Sequence, residues 1–232
     1  MKRTFYLLAL YSVIGYSQEI RQISFSQTNT VDPLQVKKSI EKANKELVDL
    51  QLTKLKQTND SVKIKQARDF LLGELLNNMI EEMHSDVLTQ AEKRNNSISF
   101  LKVQDSAIYT FRKKDSIVLS EKKISKNSFK NRLKWLIINS KEIKEDRKTI
   151  EGFDCYKVYI QQAEADSDMP LTFSFTILEM YVTEEIQSEV HPIIDNKDIL
   201  SMYYPLEIKK VQQITKGVTD FYKLNNLEFI EE

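Results

Sequence analysis

The chain reads as an α+β protein: an antiparallel sheet whose helices are grouped together instead of alternating with strands. Three observations predict this. Apolar residues recur at helical spacing only between residues 32 and 94, the period becomes two from Ser97 onward, and short turn signals separate the later apolar runs.

The elements follow in order. Lys2 and Arg3 precede the apolar run Phe5 to Ile14, and Gly15-Tyr16-Ser17 precede Gln18. A short basic stretch, an apolar core and small residues before the cut predict a secretory signal peptide over 1–17. The remainder, 18–232, is expected to form a single exported α+β domain, periplasmic or secreted, with 32–94 as a helical hairpin and 97–232 mainly antiparallel sheet. A membrane-crossing helix needs about twenty apolar residues, and no stretch supplies them.

Ile20 to Ser26 alternates as a short strand. Asp32-Pro33 is a helix start, the Asp accepting from first-turn amides and the Pro sitting where no N–H is needed. Val36, Ile40, Ala43, Leu47 and Leu50 then lie on one helix face. After a polar break at Gln57 to Ser61, the stripe Leu72, Leu75, Leu76, Met79, Ile80, Met83, Val87 and Ala91 predicts the second helix, closed by Asn95-Asn96. Strands are expected at Ser97–Val103, Ala107–Arg112, Ser116–Ser120, Leu133–Ile138, Lys144–Ile150, Phe153–Gln161, Leu171–Thr183, Leu206–Ile214 and Val218–Glu228, with a helical turn near Asn127–Asn131. A long connection, Glu184 to Met202, and a turn at Gly217 separate the last of them.

Composition narrows the function. The chain has 34 basic and 34 acidic residues; removing Lys2 and Arg3 leaves 32 against 34. That balance argues against nucleic acid, whose binding is driven by basic patches and counterion release. Four glycines, Gly15, Gly73, Gly152 and Gly217, are too scattered for a phosphate loop, a dinucleotide fingerprint or a nucleophile elbow. No cofactor is expected. The single cysteine, Cys155, excludes an intramolecular disulfide and sits in a strand-like run remote from both histidines, which argues for burial and against nucleophilic chemistry.

The run Lys148-Thr149-Ile150-Glu151-Gly152-Phe153-Asp154-Cys155-Tyr156-Lys157-Val158, followed by Met180-Tyr181-Val182-Thr183-Glu184-Glu185-Ile186, resembles the paired motifs of the GLPGLI family of exported Bacteroidota proteins. Tyr203-Tyr204-Pro205-Leu206-Glu207-Ile208 stands where that family carries its name, keeping the Pro and losing both glycines. The resemblance implies a LolA-like half-barrel, a curved antiparallel sheet whose concave face the helical hairpin would cover, and no catalytic residue. Gly152, Phe153, Cys155 and Lys157 are then motif residues with a structural role. Gly152 suits a turn at positive φ, and Tyr156, Val158 and Ile160 alternate against Lys157, Tyr159 and Gln161.

Two metal-like groupings were weighed. His84 beside Glu81 and Glu82 reads as a solvated helix face. Glu184, Glu185, Glu189, His191 and Asp195 read as a solvated acidic loop, so no metal is expected. The resulting expectation is a non-enzymatic cell-envelope protein binding a lipid or hydrophobic ligand, with Leu76, Met79, Met83, Tyr156, Phe173, Phe175 and Tyr181 lining the site. The alternative is an accessory protein docking on an envelope partner without a small ligand.

Overall fold

A computed structural model describes residues 20–57, 61–71, 73–103, 105–124, 135–164 and 175–230. The expected signal peptide, the expected turn near Asn127–Asn131 and Phe173 lie outside the described residues.

Nine strands form one antiparallel sheet: β1 (Ile20–Val31), β2 (Ser97–Lys102), β3 (Ala107–Arg112), β4 (Val118–Lys123), β5 (Trp135–Ile150), β6 (Phe153–Glu164), β7 (Thr176–Thr183), β8 (Tyr204–Gln212) and β9 (Val218–Phe229). Their spatial order is β4-β3-β2-β1-β9-β8-β7-β6-β5. Every pairing joins sequence neighbours except β1 with β9. The sheet is thus an up-and-down meander closed through its terminal strands and open between β4 and β5, an unclosed barrel whose two edges are consecutive in sequence.

The expected strands are present among the described residues, with one difference in how they are divided. The two segments predicted at 133–138 and 144–150 are one 16-residue strand, β5, interrupted by register shifts at Ile137/Asn139 and Ile143/Arg147. Those irregularities break the alternation that a sequence reading depends on. Between β5 and β6, Glu151 and Gly152 take φ of 49° and 89° while Ile150 pairs with Phe153, a two-residue turn of the type that matches strand twist.

Three helices lie between β1 and β2: α1 (Pro33–Gln57), α2 (Ser61–Leu71) and α3 (Glu74–Arg94). Asp32 caps α1, its side chain accepting from the Gln35 amide at 3.0 Å. The α2 helix was not anticipated, because its apolar residues follow a polar break and Val62 is left 64% exposed. The α1 stripe is buried only in its first half: Val36, Ile40 and Ala43 are covered, whereas Leu50 is exposed.

The core is in two parts. The larger cluster gathers Ile23, Phe25, Leu101, Val158, Ile160, Leu178, Met180, Leu206 and Ile208 from one face of the sheet, here the inner face. Its cover is the 184–203 segment, which contributes Ile186, Ile194, Ile199, Leu200 and Tyr203 and contains a short helix, α4 (Lys197–Met202). Among the described residues none of the cluster comes from α1, α2 or α3. The expectation that the helical hairpin covers the sheet is therefore corrected. The helices make a second, smaller cluster of Val36, Ile40, Ile80, Ala91 and the β9 residue Val218.

Candidate binding surfaces

Most residues expected to line a ligand cavity are placed elsewhere. Leu76 and Met83 pack against the small helical cluster, and Met79 on the same helix is 36% exposed. Phe175 edges a polar recess beside Gln35, Lys38, Ser39 and Lys42 of α1. Tyr156 lies on the inner face, where its ring meets Tyr203 edge-on at 6.3 Å and its hydroxyl donates to Glu184. Tyr203 in turn donates to Glu142. Burial first, and then that bond, pushes the Tyr203 hydroxyl up to about 12, while the bond holds the Glu142 carboxyl below its ordinary value.

Tyr181 is on the opposite, outer face. Its hydroxyl donates to Asp146 at 2.8 Å, and the Lys148 ammonium stands 3.7 Å from its ring centroid. Lys157 pairs with Asp146 at 2.7 Å and with Glu179 at 3.4 Å, and Lys148 pairs with Glu207 at 2.7 Å. The two lysines of the sequence motif therefore converge on Tyr181, joining β5 to β8. Such exposed pairs contribute about 0–1 kcal/mol each. Lys157, which the strand pattern puts on the same side as Cys155, is accommodated by this lattice of carboxylates.

The other candidates for chemistry are occupied. His191 is buried between Phe25 and Tyr204, with ring centroids at 4.8 and 5.1 Å. Its Nε2–H donates to the Pro205 carbonyl at 2.9 Å, and its Nδ1 accepts from the amides of Ile193 and Ile194 at 3.0 and 3.1 Å. A carbonyl requires a donor and two amides require an acceptor, so the ring is a neutral Nε2–H tautomer with no lone pair left for a metal. Burial lowers its pKa to about 3. The 184–203 segment is thus a packed cover, a correction to its reading as a solvated acidic loop. His84 likewise donates to the Pro33 carbonyl at 3.0 Å, tying α3 to the start of α1. Cys155 is fully buried and desolvation raises its thiol to about 11.

What stands out is the wing formed by β2, β3 and β4, whose polarity is inverted. Along β2, Ser97, Ser99 and Leu101 point inward and are buried, while Ile98 and Phe100 point outward and are half-buried. The register places Ser99 opposite Thr110 and Thr110 opposite Ser120, and on the outer face Phe100 opposite Tyr109 and Ile98 opposite Phe111. Hydroxyls face in and aromatics face out.

Two depressions result. On the outer face, Ile98, Phe100, Tyr109, Phe111 and Val118 floor an open groove of about 680 Å³, within the volume range of small-molecule sites. Its rim carries Lys102, Arg112 and Lys113. Lys102 pairs with Asp105 at 3.0 Å and Arg112 with Asp115 at 3.2 Å, whereas Lys113 has no carboxylate at ion-pair distance among the described residues. On the inner face a recess of mixed polarity, about 480 Å³, lies between the end of α3, the wing and Pro192-Ile193. The sequence signal for the groove was present, since β2 and β3 carry apolar side chains on both faces. It was passed over in favour of the aromatics of the later strands.

The fold defines the class, an α+β protein with an open, curved antiparallel sheet and grouped helices. No family model matches the chain, so the GLPGLI resemblance gains no support there, and no curated protein matches it. A solved LolA superfamily protein from Nitrosomonas europaea is similar at 8% sequence identity over 60% of this chain and 69% of that one, with a TM-score of 0.17.

Proposed function

We propose that this is an exported, non-enzymatic cell-envelope protein that binds an anionic amphiphile, an acyl chain bearing a charged headgroup, in the outer groove of β2–β4. The observation that carries this reading is the inverted wing: Ile98, Phe100, Tyr109 and Phe111 present an apolar floor to solvent that no described segment covers. Burying an acyl chain there recovers about 25 cal/mol for each Å² of apolar surface removed from water. Lys113 supplies a charge for the headgroup. Export is supported by Lys2-Arg3 and the apolar run behind them.

The test is titration of the protein with oleate. The double variant Phe100→Ser/Phe111→Ser is expected to keep its circular dichroism, because both rings are only half-buried, and to bind oleate at least about tenfold more weakly. Lys113→Glu should weaken oleate but leave oleyl alcohol unchanged. Equal binding by the wild type and the double variant, or none by either, would remove the groove from consideration.

A second reading, docking of an envelope partner on a sheet edge, is favoured by the exposed Leu136 and Ile138 on the edge strand β5. Replacing both by Lys should abolish capture of that partner while oleate binding persists.

A further inference from the structure

The inner recess is separate from the outer groove, facing the other side of the same strands. Beside Leu119, Ile193 and Tyr222, its lining carries hydroxyls and an amide: Ser99 and Thr110 from β2 and β3, Ser120 from β4, and Gln27 from β1. Its charge is one-sided. Lys93 and Arg94 enter from the last turn of α3 and Lys210 from β8. Lys210 is held among groups that desolvate its ammonium.

Against these three cations stands Asp220, the cross-strand partner of Lys210, and its oxygens are already engaged. One accepts from Gln27 at 3.1 Å and the other faces Arg94 at 3.9 Å. Asp195, which also attracts Lys210, pairs with Lys122 at 3.3 Å. The Arg94 Nε–H is buried and has no acceptor among the described residues. A buried donor left unmet costs about 1–3 kcal/mol, and a half-buried ammonium with its carboxylate neighbour engaged elsewhere is similarly unfavourable. Arg94 and Lys210 both line the recess, so an oxyanion bound there would give each a partner.

We propose that the inner recess binds a small phosphate group, inorganic or as a monoester, with Lys210 and Arg94 as the principal ligands, Lys93 at the mouth and the hydroxyls of Ser99, Thr110 and Ser120 as donors. Lys93, Arg94 and Lys210 outnumber the two nearby carboxylates, Asp220 and Asp195, which suits a doubly charged anion, and hydroxyl donors suit its several oxygens. The recess does not depend on the amphiphile reading, since it shares no residue with the outer groove.

The experiment measures the thermal midpoint and the phosphorus NMR line width of the full chain with inorganic phosphate, against sodium chloride at matched ionic strength. The wild type is expected to show saturable, phosphate-specific stabilisation. Lys210→Met should fold at least as well, because a desolvated charge has been removed, and should bind phosphate about tenfold or more weakly. Arg94→Gln is the second variant and should weaken it too. Phe100→Ser/Phe111→Ser should bind phosphate like the wild type, which separates this site from the groove.

A further arm compares a hexose phosphate with vesicles containing phosphatidic acid. Competition by the sugar phosphate assigns the anion to a soluble source, and vesicle retention lost in Lys210→Met assigns it to a lipid headgroup; both outcomes support the site. Phosphate indistinguishable from chloride, or undiminished binding by Lys210→Met and Arg94→Gln together, overturns it.

Discussion

His191 fixes the 184–203 cover with both ring nitrogens, so protonating Nδ1 in the folded state would break the two amide bonds from Ile193 and Ile194. The folded pKa of about 3 lies below the ordinary value of 6.5, so the unfolded chain binds the proton first. The His191 contribution is therefore complete above pH 6.5 and is lost as pH falls from there toward 3, at about 1.4 kcal/mol for each pH unit. Thermal midpoints between pH 7 and pH 4 should fall steeply in the wild type and less steeply in His191→Gln, whose amide can still donate and accept; parallel slopes would contradict this origin. Cys155 gives a second residue-scale prediction. With its thiol raised to about 11 from 9.0 and its side chain buried, the thiolate fraction at pH 8 falls about a hundredfold. Alkylation should be slow in the native protein and fast in urea, and labelling of the native protein at the rate of a small thiol would show Cys155 to be exposed.

At the scale of elements, the turns carry the sharpest tests. Glu151 occupies the first central position of the β5–β6 turn at φ 49°, a conformation that costs an ordinary L-residue about 1–2 kcal/mol and Asn less. Glu151→Asn should raise stability by about 0.5–1 kcal/mol in urea titration. Gly217 sits at φ 116°, its carbonyl accepts from the Asp32 amide at 2.7 Å, and it leaves no room for a side chain: a Cβ would lie 2.7 Å from the Val36 nitrogen and 2.8 Å from the Asp32 oxygen. Gly217→Ala should therefore cost about 2 kcal/mol and loosen the start of α1. Both glycines were legible in the sequence as turn residues, as were the alternation of Tyr156, Val158 and Ile160 and the Asp32-Pro33 start. What was not legible depended on partners distant in sequence. The close approach of Gly217 to α1 crosses the whole chain, and the 184–203 segment reads as acidic loop until the sheet gives Ile186, Ile194 and Ile199 something to pack against. The groove was legible only in part: the apolar residues on both faces of β2 and β3 are visible in the sequence, but Ile98 and Phe100 look like ordinary core residues until the structure shows Ser97 and Ser99 taking the inward side.

On the scale of the whole molecule, two clusters of unequal size share one chain. The larger is held by strands from β1 to β9 and by the 184–203 cover, and the smaller by α1, α3 and Val218. Among the described residues the link between them is the apolar Val218 and a set of polar contacts: Asn29 donates its side-chain amide to the Ala91 carbonyl at 2.6 Å and its backbone N–H to Asn95 at 3.2 Å, Ser39 donates to the Lys216 carbonyl at 2.9 Å, and Gly217 accepts from Asp32. Segments with few buried apolar contacts open at lower free energy than the global transition. The helices should therefore exchange their amide protons by a partial opening that leaves the sheet protected. Two truncations distinguish the cases. Ile160→Ala, in the fully buried sheet core, should lower the protection of the sheet amides by about 2–5 kcal/mol and leave the helix amides, which exchange by their own opening, nearly unchanged, whereas Ile40→Ala should lower protection in α1 and α3 and leave the slowest amides of β6, β7 and β8 unchanged. If Ile40→Ala instead accelerates exchange in the sheet by as much as in the helices, the two clusters unfold as one unit.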